Sequence, residues 1–140
     1  MNPMRYLLDT NAICEATAKN PEASVLKWID AHTDECALSC VSLGEIWKGL
    51  HCMPEGKRKR ALTHWADGLE SDFSKQILGL DTTTLKIWGK LYAKHEAKGF
   101  NLDVMDSLIA ATALAHGLTV VTRNTIDFPQ DVKIFNPWTE

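Results

Sequence analysis

Short apolar runs alternate with helical periodicities along the whole chain, and this alternation limits the folds open to it. The runs fall at 5–8, 35–40, 76–80, 118–122 and 133–135. Between them, the stretches 22–32, 42–53, 57–73 and 82–98 repeat apolar residues at helical spacing, as Leu85, Trp88, Leu91, Tyr92 and His95 do in the last. The segment 104–116 is apolar almost all round and rich in Ala, which predicts a helix packed closely on a sheet, and Gly117 supplies its left-handed cap. Pro21 precedes the 22–32 pattern and Pro54 follows the 42–53 pattern. Strands in alternation with helices imply βαβ units and a parallel sheet, and right-handed crossovers place helices on both faces. The expected fold is therefore a three-layer α/β sandwich around a mostly parallel five-stranded sheet, Rossmann-like, with residues 1–140 forming one domain.

A chain of 140 residues buries roughly two-thirds of its unfolded surface and needs no disulfide or structural metal to fold. Eighteen acids against 15 bases give a net charge of −3. That balance excludes a uniformly basic nucleic-acid binder and leaves a local site open. No apolar stretch is long enough for a membrane helix, and the N-terminus lacks a signal-peptide pattern, so a cytoplasmic protein with no membrane contact is expected. The four cysteines should then be reduced. Their spacing does not match paired zinc motifs, and Cys36 and Cys40 are expected as core thiols on one face of a strand.

In a parallel sheet, ligands bind beyond the carboxyl ends of the strands. Asp9 closes the first run, Glu45 lies one turn into the helix after the second, and Asp106 opens the buried helix. Thr122, Arg123 and Asn124 follow the fourth run, with Asp127 three residues on. Each has a structural reading alone. Asp9 can cap a helix, Ser42 and Glu45 have the form of a capping box, Asp103 and Asp106 can cap the next helix, and Asn124 can sit in a turn. Together they map to one edge of one sheet. Three converging carboxylates repel one another unless a cation neutralises them, and an all-oxygen set suits Mg²⁺ or Mn²⁺. Such an ion acidifies a bound water and directs it at a phosphodiester.

Leu-Asp-Thr-Asn at 8–11, Ser-x-x-Glu at 42–45, Asp-Ser-Leu-Ile-Ala-Ala-Thr-Ala-Leu-Ala at 106–115 and Val-Val-Thr-Arg-Asn-x-x-Asp-Phe at 120–128 occur in this order. The set resembles the PIN domain, and its length and spacing are similar to the VapC/FitB-type toxins of toxin–antitoxin pairs. The resemblance implies a Mg²⁺-dependent ribonuclease, usually a homodimer, silenced by a small antitoxin protein, and a product with a 5′-phosphate and a 3′-hydroxyl. It assigns Asp9, Glu45 and Asp106 to the acidic core and Asn124 to a position where many members carry a fourth acid and others Asn. Asp127 then partly replaces the missing charge. Thr10 and Thr122 orient the site, and Asp103 is an extra acid that caps the helix or supports the cluster.

Other features have two readings. Lys57-Arg58-Lys59-Arg60 is a solvated helix face or a phosphate contact, with Lys57 and Arg58 the candidates. Arg123 clamps a phosphate or pairs with Asp127. The five histidines gain no chemistry from their spacing, and the five tryptophans are expected mostly as core. Trp47 and Leu50 form a candidate docking face for an antitoxin. An alternative function is a receiver-like phosphoacceptor, with Asp9 on Mg²⁺, Asp81 accepting phosphate, Thr122 ending strand four and Lys133 near strand five. A binding module that keeps the fold without catalysis is the third reading.

Overall fold

Five parallel strands order the computed structural model, which describes residues 3–139. They are β1 (Tyr6–Leu8), β2 (Cys36–Ser39), β3 (Ile77–Leu78), β4 (Thr119–Val121) and β5 (Ile134–Phe135), in the spatial order β3-β2-β1-β4-β5. Six helices connect them: α1 (Thr10–Cys14), α2 (Ala23–His32), α3 (Cys40–His51), α4 (Lys57–Asp72), α5 (Thr82–Ala97) and α6 (Val104–His116).

Both faces of the sheet are buried, which is why the strands read as continuous apolar runs. Leu8, Cys36, Leu38 and Val121 face one core with Ile13 of α1, Ile46 and Leu50 of α3, and Ala66 and Leu69 of α4. Leu7, Ala37 and Val120, one residue out of phase, face a second core with Leu91 of α5 and Ile109, Ala110 and Ala113 of α6. The expected three layers are thus present. The alanines of α6 bring its backbone close to the sheet, and Gly117 ends the helix at φ 65°, as expected of a left-handed cap.

Several local expectations change. Helix α3 begins at Cys40 instead of Ser42, and its cap is Ser39, whose hydroxyl accepts the Val41 N–H at 3.1 Å. Ser42 and Glu45 therefore form no capping box, because Ser42 already lies inside the helix. Cys40 leaves the strand for the first turn of α3, so it does not share a strand face with the buried Cys36. Helix α3 ends at His51, before Pro54, and β3 is reduced to two residues. An edge strand with one neighbour gains hydrogen bonds on one side only, so a short pairing suffices there. Leu50 is 5% exposed and belongs to the core, while Trp47 packs partly against the same core, so no docking face forms from this pair. Trp28, Trp65 and Trp138 also pack on that core, and Trp88 donates to Ser107 Oγ at 2.9 Å.

Candidate active site

The chain moves outward from β1 to β2 and β3, then crosses to the opposite side of β1 for β4. The switch point lies between β1 and β4, where the two outgoing connections part and leave a crevice at the strand ends. Leu8 pairs with Val121 there, and the Asp9 N–H donates to the Val121 carbonyl at 3.1 Å. Asp9 and Thr122 are consequently neighbours at the crevice floor, and both are buried.

Asp9 caps α1 by accepting the Ala12 N–H at 3.0 Å, so the capping role and a place in the site coexist in one side chain. Only 3% exposed, it is costly to ionise, and burial pushes its carboxyl up to about 6. The Thr122 side chain and the Ala12 and Asn11 N–H groups oppose that rise, while the charge of Glu45 adds to it.

Glu45 enters from the second turn of α3. Thr10, the first residue of α1, donates its hydroxyl to Glu45 Oε1 at 2.6 Å and lies 3.1 Å from Ser42 Oγ. Ser42 is fully buried one helical turn before Glu45, and sequence reading gave it only a capping role. The signal that could have found it is its i, i+3 spacing to Glu45 on one face of α3.

Asp106 sits in the first turn of α6, its N–H bound to the carboxylate of the N-cap Asp103 at 2.9 Å. Desolvation raises its carboxyl first, and the charges of Asp103, Glu45, Asp9 and Asp127 raise it further, to about 7. Asp9, Glu45 and Asp106 are thus brought within electrostatic reach of one another. Among the described residues, no Lys, Arg or His lies within ion-pair distance of any of the three. Nor do any three His, Cys, Asp or Glu side chains close around a common point. The donor chemistry nonetheless fits a hard divalent cation, because every candidate atom is oxygen and a loose set suits an ion that keeps several waters.

Past β4, Asn124 is exposed at the start of a 3-10 turn that carries Asp127, and its N–H donates to Thr122 Oγ1 at 3.0 Å. Arg123 does not pair with Asp127 among the described residues. Its guanidinium lies 5.8 Å from the Trp138 ring centre, and its backbone N–H donates to Asn11 Oδ1 at 3.4 Å. Lys57 and Arg58 are exposed on the first turn of α4, and among the described residues neither makes an ion pair. The receiver-like alternative loses its geometry. β3 is an edge strand separated from β1 by β2, and Asp81 is engaged in capping α5 through the Thr84 N–H at 2.8 Å. Lys133 lies before β5, not at its end.

Residues 6–130 match the model of the PIN domain. The chain is 40% identical to the plasmid stability protein StbB of Pseudomonas syringae pv. tomato, covering 94% of this chain and 97% of that protein. It is 36% identical to the VapC ribonuclease Y4jK of Sinorhizobium fredii, covering 94% and 96%. Among solved structures, FitAcB from Neisseria gonorrhoeae superposes with a TM-score of 0.88 at 32% identity, over 96% of this chain and 99% of that one.

Proposed function

The chain belongs to the PIN-domain family, and we propose that it is a divalent-cation-dependent endoribonuclease, the toxin of a toxin–antitoxin pair. The observation that carries this reading is the group of three carboxylates at the switch-point crevice, of which Asp9 and Asp106 are raised by burial and by neighbouring acids, with no protein cation within ion-pair distance among the described residues. Relatives named as ribonucleases and endonucleases, such as ribonuclease VapC4 of Mycobacterium tuberculosis at 32% identity, support the reaction class.

Asp9, Glu45 and Asp106 would hold Mg²⁺, or Mn²⁺, through carboxylate oxygens. Bound there, the cation supplies an acidified water and offsets charge that builds on the phosphate. Thr10 holds Glu45 in one rotamer by its 2.6 Å hydrogen bond, and the Thr122 side chain steadies Asp9. Asn124 and Asp127 stand on the loop beside the crevice, positioned to contact the substrate or the solvent shell of the site. Arg123, exposed at the same edge, offers a phosphate contact. Lys57 and Arg58 are left as more distant phosphate contacts. Hydrolysis adds the water oxygen to phosphorus and breaks the bond to the 3′ oxygen, which takes up a proton. The products are a 5′-phosphate and a 3′-hydroxyl.

The partners proposed are an RNA substrate, a small cognate antitoxin and a second copy of the chain. The 34% identity to Toxin FitB of Neisseria gonorrhoeae, and the likeness at 32% identity to the solved structure of FitAB bound to a DNA fragment, support the antitoxin. Among the described residues no helix is long and apolar enough to cross a membrane, and a cytoplasmic site of action is part of the same proposal. RNA cleavage with Mg²⁺, with EDTA, and by Asp9→Asn and Asp106→Asn variants tests the reading. Cleavage should fall at least about a hundredfold in EDTA and in both variants. Full activity in either variant overturns it.

A further inference from the structure

An open groove of about 790 Å³ runs between the end of α5, the 99–103 loop and the 125–131 turn. Its volume is within the range of clefts that bind small ligands. Asp127 and Asp103 line it, and Asp103 is the N-cap of the helix that carries Asp106, its carboxylate accepting the Asp106 N–H, so the groove borders the carboxylate crevice. The end of α5 contributes Lys94, His95 and Lys98. Two of these are already engaged: Lys94 and His95 bind the Asp131 carboxylate at 2.6 and 2.8 Å. Lys98 is exposed and makes no ion pair among the described residues.

Beside Lys98 the backbone presents an aromatic ring. Gly99 takes φ 81°, its N–H bonds to the Glu96 carbonyl at 3.0 Å, and the Phe100 N–H bonds to the His95 carbonyl at 2.9 Å. This closes α5 in a Schellman motif and fixes where Phe100 leaves the helix. An apolar residue at that position commonly packs back on the helix. Here the Phe100 ring only meets the edge of His95, at 6.0 Å between centroids, and remains 60% exposed. Ile126, 94% exposed, also lines the groove. A single exposed apolar residue is ordinary. An aromatic ring on fixed backbone, a cation without an ion pair two residues away, and a position bordering the proposed phosphodiester-cleaving site together match one ligand class. Single-stranded nucleic acid binds through stacking of bases on aromatic rings and pairing of phosphates with cations.

We propose that this groove holds the RNA strand flanking the scissile phosphate, with one base stacked on Phe100 and a backbone phosphate paired with Lys98. The proposal rests on the ribonuclease reading and adds to it the residues that grip the substrate. Binding of a fluorescein-labelled single-stranded RNA of mixed sequence to the full chain, followed by anisotropy in EDTA across a salt series, tests it. Phe100→Ala should weaken binding about tenfold at unchanged salt dependence, and Phe100→Tyr should restore it. Lys98→Gln should flatten the slope of log K against log salt by about 0.7. Unchanged affinity in both variants overturns the groove, as does a wild-type chain that binds no RNA. Conversion of a wild-type dimer to a monomer by Phe100→Ala in light scattering also overturns it, because the face would then be a contact between copies. The two readings fail separately. Mg²⁺-dependent cleavage with groove variants of full affinity removes the groove alone, whereas Phe100-dependent binding without any cleavage supports the groove and removes the nuclease.

Discussion

Thr10 illustrates how a single hydroxyl can matter more to a site than to the fold. Its proton goes to the Glu45 carboxylate at 2.6 Å, a charge-assisted bond that orders an otherwise mobile side chain. Thr10→Val keeps the shape and removes the donor. Cleavage, measured as kcat/KM, should drop roughly 10–100-fold, the range seen when outer partners of metal ligands are lost. Thr10→Ser should retain most of it, and the melting temperature should move little in either. Asp106 poses the opposite case, since it is unfavourable for the fold. Its carboxyl is raised to about 7 by burial and like charges, so at pH 8 the folded chain carries a charge that its surroundings resist. Asp106→Asn should therefore raise the melting temperature of the cation-free protein at pH 8. Discounted for solvent at a half-buried site, the gain is about 1 kcal/mol, or roughly 3 °C. Toward pH 5 the gain should fade, because the native carboxyl then holds its own proton. Differential scanning calorimetry at both pH values with EDTA checks it, and equal melting temperatures at pH 8 would count against the repulsion.

At the scale of elements, α5 is tied to the loop before β5 by the Lys94 and His95 contacts with Asp131. The hydrogen bonds from Lys94 and then His95 hold the Asp131 carboxyl down to about 2. A carboxyl lowered in the fold contributes stability above its unfolded value near 4 and loses it as the pH falls toward 2. Its exposure limits that contribution to about 1 kcal/mol. Urea midpoints of wild type and Asp131→Asn should differ at pH 6 and converge near pH 2; a constant gap across this range would sink the assignment. Element identity was widely legible from the chain. The alternation of apolar runs and helical stripes located every strand and the long helices, because both sheet faces are covered and the strands must be apolar throughout. Boundaries were less legible. Whether Ser39 or Ser42 caps α3 depends on where β2 stops pairing with β1 and β3, a tertiary event that local propensity does not register.

Across the whole molecule, the strand order brings acids scattered along the chain within electrostatic reach of one another. A ligand that binds the folded crevice and not the unfolded chain stabilises by mass action. Saturating Mg²⁺ at about a hundred times its dissociation constant should add about 2.7 kcal/mol. That increment should vanish in Asp106→Asn, the same substitution that stabilises the cation-free chain. A thermal shift that survives in this variant would place the ion elsewhere. Expression in a bacterial host supplies the corresponding biological measurement. The chain alone should arrest growth, a neighbouring small reading frame should relieve the arrest, and Asp9→Asn should be harmless.

The motifs around Asp9, Glu45, Asp106 and Asn124 were readable from residue type, order and the rule that parallel sheets bind ligands at their carboxyl edge. Those properties are local or topological, so the chain alone determined them. The partners of these residues were decided by packing. Thr10 meets Glu45 across 35 positions, and the Asn11 side chain meets the Arg123 N–H across 112. Such contacts exist only once β1 lies between β2 and β4. The same holds for the carboxyl of Asp106, which is raised by burial and by four other acids, three of them from separate segments. Sequence determines which carboxylates the molecule has. Only the tertiary structure decides how dry and how crowded they are, because desolvation and repulsion depend on distance through space and not along the chain.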